Sequence, residues 1–405
     1  MASLTLPATS GSGRRRPKLL FLATEDWYFW SDRLPFARAA RDAGCDIVVA
    51  ARVRAHGEAI RAEGFALHPL DWRRRGDGPL GACRAVLAIA RLYRAERPDI
   101  INHLALKPVV FGALARRLAF GRAGSAAVVI DWIMGLGLGF AGRGLRDRLL
   151  RPLLGLALRF AASGIDGSMV VQNGDDGAVL AALGIAAERI VVIRGSGVDA
   201  QRFAPLPDPA GATPSGATVA VGFVSRMLKS KGVLDAVAAV RRLRAQGLPV
   251  ELLLAGAGDP DSRDSLSEAA LAALGAEPGI IRLGRVEDVR TVWARAAIAV
   301  LPSIYGEGLP RALLEAAACA RAIVASDMPG CREIVRDGET GILVPPEDVA
   351  GLAAAIARLA ADPGLRRRMG AAGRALVERE FAQEIVAQQT MALYQAALAE
   401  RGNRR

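Results

Sequence analysis

A chain of 405 residues is too long for one ordinary core, so two domains of about 200 residues each are expected. The composition, 52% hydrophobic and 5% aromatic, is that of a globular protein, and the net charge of +12 is uneven. Residues 1–205 carry 29 Lys and Arg against 18 Asp and Glu (+11), and residues 206–405 carry 24 against 23 (+1). The basic half favours nucleic acid, anionic lipid or a phosphorylated ligand as partner, unless it only reflects solubility.

Residues 1–17 are predicted to be a disordered basic leader and not a signal peptide, because their arginines follow the weakly apolar stretch. In the N-terminal domain, residues 18–205, short apolar runs alternate with stretches of helical spacing. The predicted strands are 18–23, 45–50, 65–70, 98–103, 126–130, 167–172 and 189–194, and the predicted helices are 32–43, 80–96, 108–119, 143–162 and 176–183. Such alternation indicates a parallel sheet covered on both faces.

Residues 206–217, rich in Pro, Gly and Ala, are predicted to be a linker, and the alternation restarts in the C-terminal domain, residues 218–405. The predicted strands there are 218–224, 249–256, 280–284, 297–302, 322–326 and 341–345, the helices are 232–245, 265–274, 288–295 and 310–319, and only helices follow from 348. The fold class is therefore α/β, with two doubly wound parallel-sheet domains. Because ligands bind at the carboxyl ends of such strands, the two domains are expected to face an interdomain cleft.

Segment 297–315 is predicted to be a strand, a glycine-rich loop and a helix. Gly306 and Gly308 are expected to let the backbone turn sharply and approach a ligand. Pro310 is expected at the first helical position, where no backbone N–H is required. The N–H groups of this helix start, including those of Gly308 and Leu309, then form an anion site suited to a diphosphate.

Two glutamates flank this helix start, Glu307 in the loop and Glu315 on the helix. A carboxylate binds vicinal hydroxyls well because it only accepts hydrogen bonds, so Glu315 is expected to hold a ribose and Glu307 a sugar. Arg226 and Lys231 follow the first strand of the C-terminal domain, where paired cations would neutralise a leaving diphosphate. The alternatives are that Glu307 is an ordinary turn residue, that Glu315 is an exposed glutamate of the helix, and that the loop with Arg226 and Lys231 is a solvated basic loop.

At this point the chain resembles the retaining glycosyltransferases of family 4, whose GT-B architecture consists of two Rossmann-like domains. The resemblance is carried by SRMLKSKG (225–232), EGLPRALLE (307–315) and the run 315–349. It implies that Arg226 and Lys231 contact the diphosphate, Glu315 the ribose, and Glu307 the donor sugar near the reacting centre. It also implies transfer with retention, and neither a metal nor a cofactor beside the nucleotide-sugar substrate.

Segments 25–44, 101–108 and 170–176 are similar to a subgroup that acts on polyprenyl-diphosphate-linked sugars in bacterial surface-polysaccharide or glycan assembly. This implies a UDP-linked donor, a lipid-linked acceptor, and a cytoplasmic enzyme held peripherally on the inner face of the membrane. The residues expected at the acceptor are Glu25, Asp26, Ser31 and His103, although His103 is equally well explained as a structural histidine. Many relatives carry a histidine where this chain has Met134.

Other patterns are weaker. GLGFAG (137–142) matches a dinucleotide-binding motif but follows the fifth strand, and Asp259-Pro260-Asp261 matches an Asp-x-Asp metal motif outside its usual context. The four cysteines and three histidines lack zinc-ligand spacing. The basic helix 143–162 would either dock on anionic membrane or be an ordinary surface helix.

The sequence leaves two other functions to consider. A nucleotide-sugar epimerase of the same architecture is the alternative enzyme, but it needs acid–base groups around the sugar and only His103 is suitably placed. Nucleic-acid binding is disfavoured because neither a recognised module nor interleaved aromatic residues are present.

Overall fold

The computed structural model describes residues 15–72, 78–121, 127–136, 145–163, 166–195, 197–209, 218–262 and 264–402, with the backbone alone for 145–150 and 402. The chain divides into two compact units. The first unit comprises residues 1–196 and 384–405, and the second comprises residues 197–383. The predicted leader lies outside the described residues up to residue 14, as do the GLGFAG motif and most of the predicted linker.

Thirteen strands lie in the described residues. They are β1 Lys18–Glu25, β2 Asp46–Arg52, β3 Ala66–Pro69, β4 Ile100–Leu104, β5 Val128–Ile133, β6 Gly167–Val171, β7 Ile190–Val192, β8 Val219–Val224, β9 Val250–Ala255, β10 Ile280–Gly284, β11 Ile298–Leu301, β12 Ala322–Ser326 and β13 Gly341–Val344.

The α-helices of the same residues are α1 Asp26–Tyr28, α2 Leu34–Asp42, α3 Gly57–Ala62, α4 Gly78–Glu96, α5 Leu106–Phe120, α6 Leu145–Ala162, α7 Gly174–Ala182, α8 Val233–Ala245, α9 Glu268–Gly275, α10 Arg290–Arg295, α11 Arg311–Ala318, α12 Cys331–Ile334, α13 Val349–Ala361, α14 Pro363–Leu376 and α15 Gln383–Gly402. Short π-helical segments occupy Phe29–Arg33 and Val377–Phe381, and 3₁₀ turns occupy Ala187–Arg189 and Lys229–Lys231.

Each unit is built on one parallel sheet. The first sheet has the order β3-β2-β1-β4-β5-β6-β7 and the second has the order β10-β9-β8-β11-β12-β13. In the first sheet, Leu20 of β1 pairs with Val48 of β2 and with Ile101 of β4. The strand order reverses between β1 and β4 in one sheet and between β8 and β11 in the other, which are the positions where such sheets bind ligands. The expected pair of doubly wound parallel-sheet domains is confirmed.

The alternation of side chains along β1 explains why the first sheet is covered on both faces. Leu19 and Phe21 belong to one hydrophobic cluster, whereas Leu20 and Leu22 belong to another. Because successive strand residues point to opposite faces, a continuous apolar run such as this one needs a layer of helices on each side. The second unit has one continuous core, in which Phe223 and Trp293 are fully buried.

The C-terminal helix α15 packs on the first unit, which differs from the predicted domain of residues 218–405. Val386, Met391 and Tyr394 of this helix lie in the same hydrophobic cluster as Phe21 of β1. The Tyr394 hydroxyl also donates a hydrogen bond to Asn102 Oδ1 at 3.1 Å. The apolar face of α15 therefore completes the N-terminal core.

The second unit begins earlier than the predicted boundary at residue 205, because two arginines, Arg374 and the buried Arg321, fix the segment 197–209 to it. Arg374 donates to the carbonyl oxygens of Ala200 and Phe203 at 2.9 and 2.7 Å. Arg321 donates to the carbonyl oxygen of Pro207 at 2.8 Å. These charge-assisted bonds make the start of the predicted linker part of a folded unit.

No helix in the described part of the chain combines the length and the apolar character needed to cross a membrane. The basic segment predicted over 143–162 forms α6 from Leu145 to Ala162. Exposed leucines lie on α6 and on α4 and α5, and α5 packs against both of the other helices.

Candidate functional site

The strongest candidate site lies at the carboxyl edge of the second sheet, where the loops after β8 and β11 meet. These two strands are adjacent and parallel, so the segments that follow them begin at the same edge. Lys231 comes from the first loop and donates hydrogen bonds to both carboxylate oxygens of Glu307 in the second, 2.5 Å from Oε2. Their side chains are 18% and 15% exposed, so the pair is shielded but can still be reached by a ligand.

Glu307 is held as a carboxylate. Ser303 donates its hydroxyl hydrogen bond to Glu307 Oε1 at 2.7 Å. Burial raises the pKa of Glu307, but the ammonium of Lys231, the Ser303 hydroxyl and the more distant Arg226 outweigh it, and the pKa lies below its ordinary value. A permanent negative charge therefore faces Lys231 at neutral pH.

Two glycines outside the loop that holds Gly306 and Gly308 make close approaches of backbone segments possible here, Gly232 before α8 and Gly330 after β12. Gly232 has φ +74°, and a Cβ there would lie 1.9 Å from the carbonyl oxygen of Pro302. Gly330 has φ +80°, and a Cβ there would lie 2.5 Å from the carbonyl oxygen of Gly308. Any side chain at either position would push the loops apart.

The backbone of the predicted glycine-rich loop differs from the expected one at its glycines and at Pro310. Neither Gly306 nor Gly308 adopts a positive φ, although the chain bends at Gly308, so this bend does not depend on a conformation that only glycine favours. Pro310 was expected at the first helical position, but it caps α11, which begins one residue later at Arg311. The proline φ of −71° leads the chain into the helix from an extended ψ of 107°. Diphosphate binding by the N–H groups of Gly308 and Leu309 stays a prediction.

Glu315 is buried on α11. Residues 313–318 of this helix are all buried. Burial raises the pKa of Glu315, although Arg311, whose Nε donates to Glu315 Oε1 at 3.0 Å, acts in the opposite direction. The sequence places Arg311 beside Glu315 on the helix, since the two are four residues apart, but the hydrogen bond between their side chains was not predicted.

Arg226, the second predicted cation, is paired with an acid from the neighbouring loop. Arg226 Nη1 lies 2.7 Å from Asp259 Oδ2, and the side chain of Arg226 is 44% exposed. Asp259 belongs to the segment that matches the Asp-x-Asp metal motif. Among the described residues, no group of three or more His, Cys, Asp or Glu side chains is arranged to hold a metal ion.

In the first unit, Glu25 and Asp26 lie at the carboxyl end of β1, as expected, but Asp26 has a structural task. The buried carboxylate of Asp26 accepts backbone hydrogen bonds from Arg54, Ala55 and His56 at 2.8 to 2.9 Å. Burial raises its pKa, but these bonds outweigh burial and the pKa is lowered. A carboxylate that is fully buried and holds a loop in this way is not available to an acceptor.

Glu25 and Ser31 differ in their surroundings. Glu25 is buried and forms ion pairs with Arg52 at 3.6 Å and Arg54 at 3.3 Å. Ser31 is exposed in the π-helical segment between α1 and α2. Contact of these two residues with an acceptor stays a prediction.

His103 lies inside the first unit and not at a surface. Its Nδ1 is 2.6 Å from Asp131 Oδ1 and its Nε2 is 2.8 Å from the Tyr93 hydroxyl, so both ring nitrogens are occupied. Gly112 packs against the ring, because a Cβ there would lie 2.1 Å from Nε2. The assignment of His103 to the acceptor site is therefore wrong, and the epimerase hypothesis loses its only suitably placed histidine.

Arg33 is a buried cation that sequence reasoning missed. Its guanidinium lies 4.1 Å from the centre of the Trp132 ring and donates to the Met134 sulfur at 2.8 Å. Stacking on an indole stabilises a desolvated guanidinium. The position where relatives carry a histidine, Met134, is thus fixed by Arg33 in this chain.

Comparison with known proteins shows the family to which both halves of the chain are similar. Residues 18–163 match the sequence profile of the family described as "Glycosyl transferase 4-like", and residues 218–362 match "Glycosyl transferases group 1". Together the two matches cover more than half of the chain. The alpha-maltose-1-phosphate synthase of Mycolicibacterium smegmatis is 34% identical over 272 residues, which cover 63% of this chain and 62% of that protein.

Solved structures share the fold at low sequence identity. Sucrose-phosphate synthase from Thermosynechococcus elongatus has a TM-score of 0.79 and 21% identity, covering 95% of this chain and 100% of that one. Anabaena HepE, solved in complex with UDP, has a TM-score of 0.74 and 19% identity, covering 94% of this chain and 100% of that one. The chain spans about half to three fifths of the length of the first curated relatives it matches.

Proposed function

Because this chain belongs to the glycosyltransferases whose two domains these profiles describe, we propose that it moves a sugar from a nucleoside diphosphate donor to a lipid-linked glycan acceptor. The second unit binds the donor and the first unit binds the acceptor. The observation that carries the proposal is the contact of Lys231 with Glu307 at the switch point of the second sheet, with Arg226 near enough to lower the pKa of Glu307.

The proposed reaction uses these groups for positioning and for charge. The bond between the sugar C1 and the β-phosphate oxygen breaks, and the acceptor hydroxyl oxygen forms the new bond to C1 on the same face. The hydroxyl proton passes to the departing phosphate oxygen, so the anomeric configuration is retained. Lys231 and Arg226 stabilise the negative charge that develops on the diphosphate, which makes a metal ion unnecessary.

Glu307 has two tasks in this proposal. It orients the ammonium of Lys231, and its remaining acceptor capacity binds a hydroxyl of the donor sugar. Glu315 binds the ribose, and Arg311 keeps its carboxylate turned in one direction. The donor is proposed to be UDP-linked and to carry a hexose or an N-acetylhexosamine, and the complex of HepE with UDP supports this choice of base.

A lipid-linked acceptor requires the enzyme to reach a membrane surface, and the exposed side chains of the first unit support this. On α4, Leu80, Arg84, Leu87 and Arg91 are exposed and recur every three or four residues, which places them on one helix face. On α6, exposed Leu153 and Leu156 lie near the exposed Arg159. Leucines among arginines suit the interface of an anionic bilayer, so the enzyme is proposed to act on the cytoplasmic face of a bacterial membrane.

The proposal is tested by incubating the purified protein with UDP-, GDP-, ADP- and dTDP-sugars, with and without a bacterial lipid extract. We expect nucleoside diphosphate release from one donor class only when the extract is present. NMR of the glycolipid product should show the donor's anomeric configuration, and EDTA should leave the rate unchanged. Isomerised sugar nucleotide without diphosphate release, or no turnover with any donor, would contradict the proposal.

A further inference from the structure

The acid that pairs with Arg226 is held in place by its own loop. The backbone N–H of Asp259 donates to Ser265 Oγ at 2.8 Å, and Asp259 Oδ1 accepts from the backbone N–H of Asp261 at 3.1 Å. This loop is joined to the Arg226 loop by backbone hydrogen bonds on both sides of Asp259, from Met227 to Ala257 and from Leu266 to Met227. The carboxylate of Asp259 therefore has a fixed position relative to Arg226.

The two cations of the candidate site differ in their freedom to move. Lys231 is 18% exposed and is bound to a carboxylate that Ser303 also holds. Arg226 is 44% exposed, whereas its partner Asp259 is only 12% exposed. When a competing anion arrives, Arg226 is the group that can turn to it while Asp259 stays in the loop.

We propose that Asp259 is a positioning residue that holds Arg226 in the donor-free protein and yields it to the diphosphate, thereby weakening the binding of the nucleoside diphosphate product and speeding its release. The inference rests on the proposed function, since it assigns a role within the same donor site. A diphosphate offers Arg226 more negative charge and more acceptor oxygens than one carboxylate does, so the exchange is favourable. The free energy needed to break the ion pair with Asp259 offsets part of the favourable free energy of binding the diphosphate.

The alternative is that Asp259 only orients Arg226 and stays bound to it in the complex. The two roles predict opposite effects of removing the charge. In Asp259→Asn, release of Arg226 from its partner tightens binding if the carboxylate competes with the diphosphate, and weakens binding if the carboxylate orients the guanidinium.

The experiment is calorimetric titration of the wild-type protein, Asp259→Asn and Glu277→Gln with UDP, GDP and ADP. Glu277→Gln is the matched control, because it removes one carboxylate from an exposed ion pair with Arg241 in the same unit. We expect Asp259→Asn to lower the Kd of the preferred nucleotide about two- to fivefold at low salt, as for a partly exposed ion pair, and the control to leave it unchanged. High salt should reduce the difference in Kd between Asp259→Asn and the wild-type protein.

The same comparison in an Arg226→Gln background tests whether Asp259 acts through Arg226. There we expect Asp259→Asn to have no effect on the Kd. Tightening that persists in this background, or equal or weaker binding by Asp259→Asn alone, would overturn the inference while leaving the proposed function intact. If the wild-type protein binds none of the three nucleotides, the proposed function itself fails.

Discussion

Replacing Lys231 and Glu307 singly and together separates a catalytic ion pair from a structural one. Glu307→Gln keeps an acceptor oxygen for Ser303 but turns an amide donor toward the ammonium of Lys231. Lys231→Met removes the cation beside a carboxylate whose side chain is 15% exposed. In both single variants a partly buried charge loses its partner.

The expected loss of stability follows from that geometry. A hydrogen bond to a charged group contributes about 1.5–3 kcal/mol, and breaking a fully buried pair costs about 3–5 kcal/mol. Because both side chains retain some exposure, each single variant should lose roughly 1.5–3 kcal/mol in the free energy of unfolding. The double variant has neither charge, so it should recover roughly 1–2 kcal/mol of the summed loss.

Activity should behave differently from stability. Each single variant should lower kcat/KM by about 10²–10³, the usual effect of removing one group that stabilises charge in the transition state. The double variant should be no more active than the weaker single variant, because recovered stability does not restore the cation.

Unfolding in urea is followed by circular dichroism and by tryptophan fluorescence. Four of the five tryptophans lie in the first unit and Trp293 alone lies in the second, so fluorescence mainly reports the first unit. The variants should shift the circular dichroism transition to lower urea. A single variant that keeps more than about a tenth of wild-type kcat/KM would show that its residue is not catalytic. Strictly additive stability losses would show that the two side chains do not interact.

Three further variants test individual assignments. Asp26→Asn should lower the stability of the first unit by about 1–3 kcal/mol at pH 7. The pKa of Asp26 is lowered, so this carboxylate stabilises the fold above its unfolded pKa, and urea titrations should show the loss shrinking as the pH falls through the folded pKa. The pKa of Glu315 is raised by burial, so its charge opposes folding as the pH rises. Glu315→Gln should therefore melt a few degrees higher than wild type at pH 7, and at the same temperature as wild type near pH 4. The variant should also bind nucleoside diphosphate about tenfold more weakly. Unchanged affinity would contradict a contact of Glu315 with the ribose. Leu153→Ser with Leu156→Ser should reduce sedimentation with anionic vesicles several-fold, while Leu234→Ser, an exposed leucine of the second unit, should not; equal sedimentation of all three proteins would contradict membrane docking through α6.

The nearness of the Lys231 loop to the Glu307 loop could be predicted from the sequence because it follows from topology, whereas the ion pair between the two side chains was not predicted. Both loops follow apolar strands of one predicted parallel sheet, and parallel strands end at a common edge. The glycines were harder to assign. Gly306 and Gly308 lie in the motif, but the close contacts occur at Gly232 and Gly330, whose neighbours are distant in sequence.

Burial of polar residues was the main source of error in the first unit. Asp26 and His103 follow or end apolar strands, which is also where ligand-binding side chains occur. Whether such a group is exposed to solvent depends on partners from other elements. These partners are the backbone of Arg54 to His56 for Asp26, and Tyr93 with Asp131 for His103. The same limit explains α15, since helical periodicity shows that a face is apolar but not which sheet it covers.

The two ion pairs of the donor site explain how one short edge of a sheet can serve both catalysis and turnover. A cation that is needed for charge stabilisation must be present when the bond to the sugar breaks, and Lys231 meets this condition because Glu307 and Ser303 keep it in place. A cation that binds the product equally firmly would slow the next cycle. Arg226 has another partner, Asp259, only 2.7 Å away. This competition weakens the binding of the diphosphate by Arg226 and leaves the ion pair of Lys231 with Glu307 unchanged. Raising the affinity for nucleoside diphosphate through Asp259→Asn should therefore lower kcat when product release limits the rate, and single-turnover transfer should not become slower.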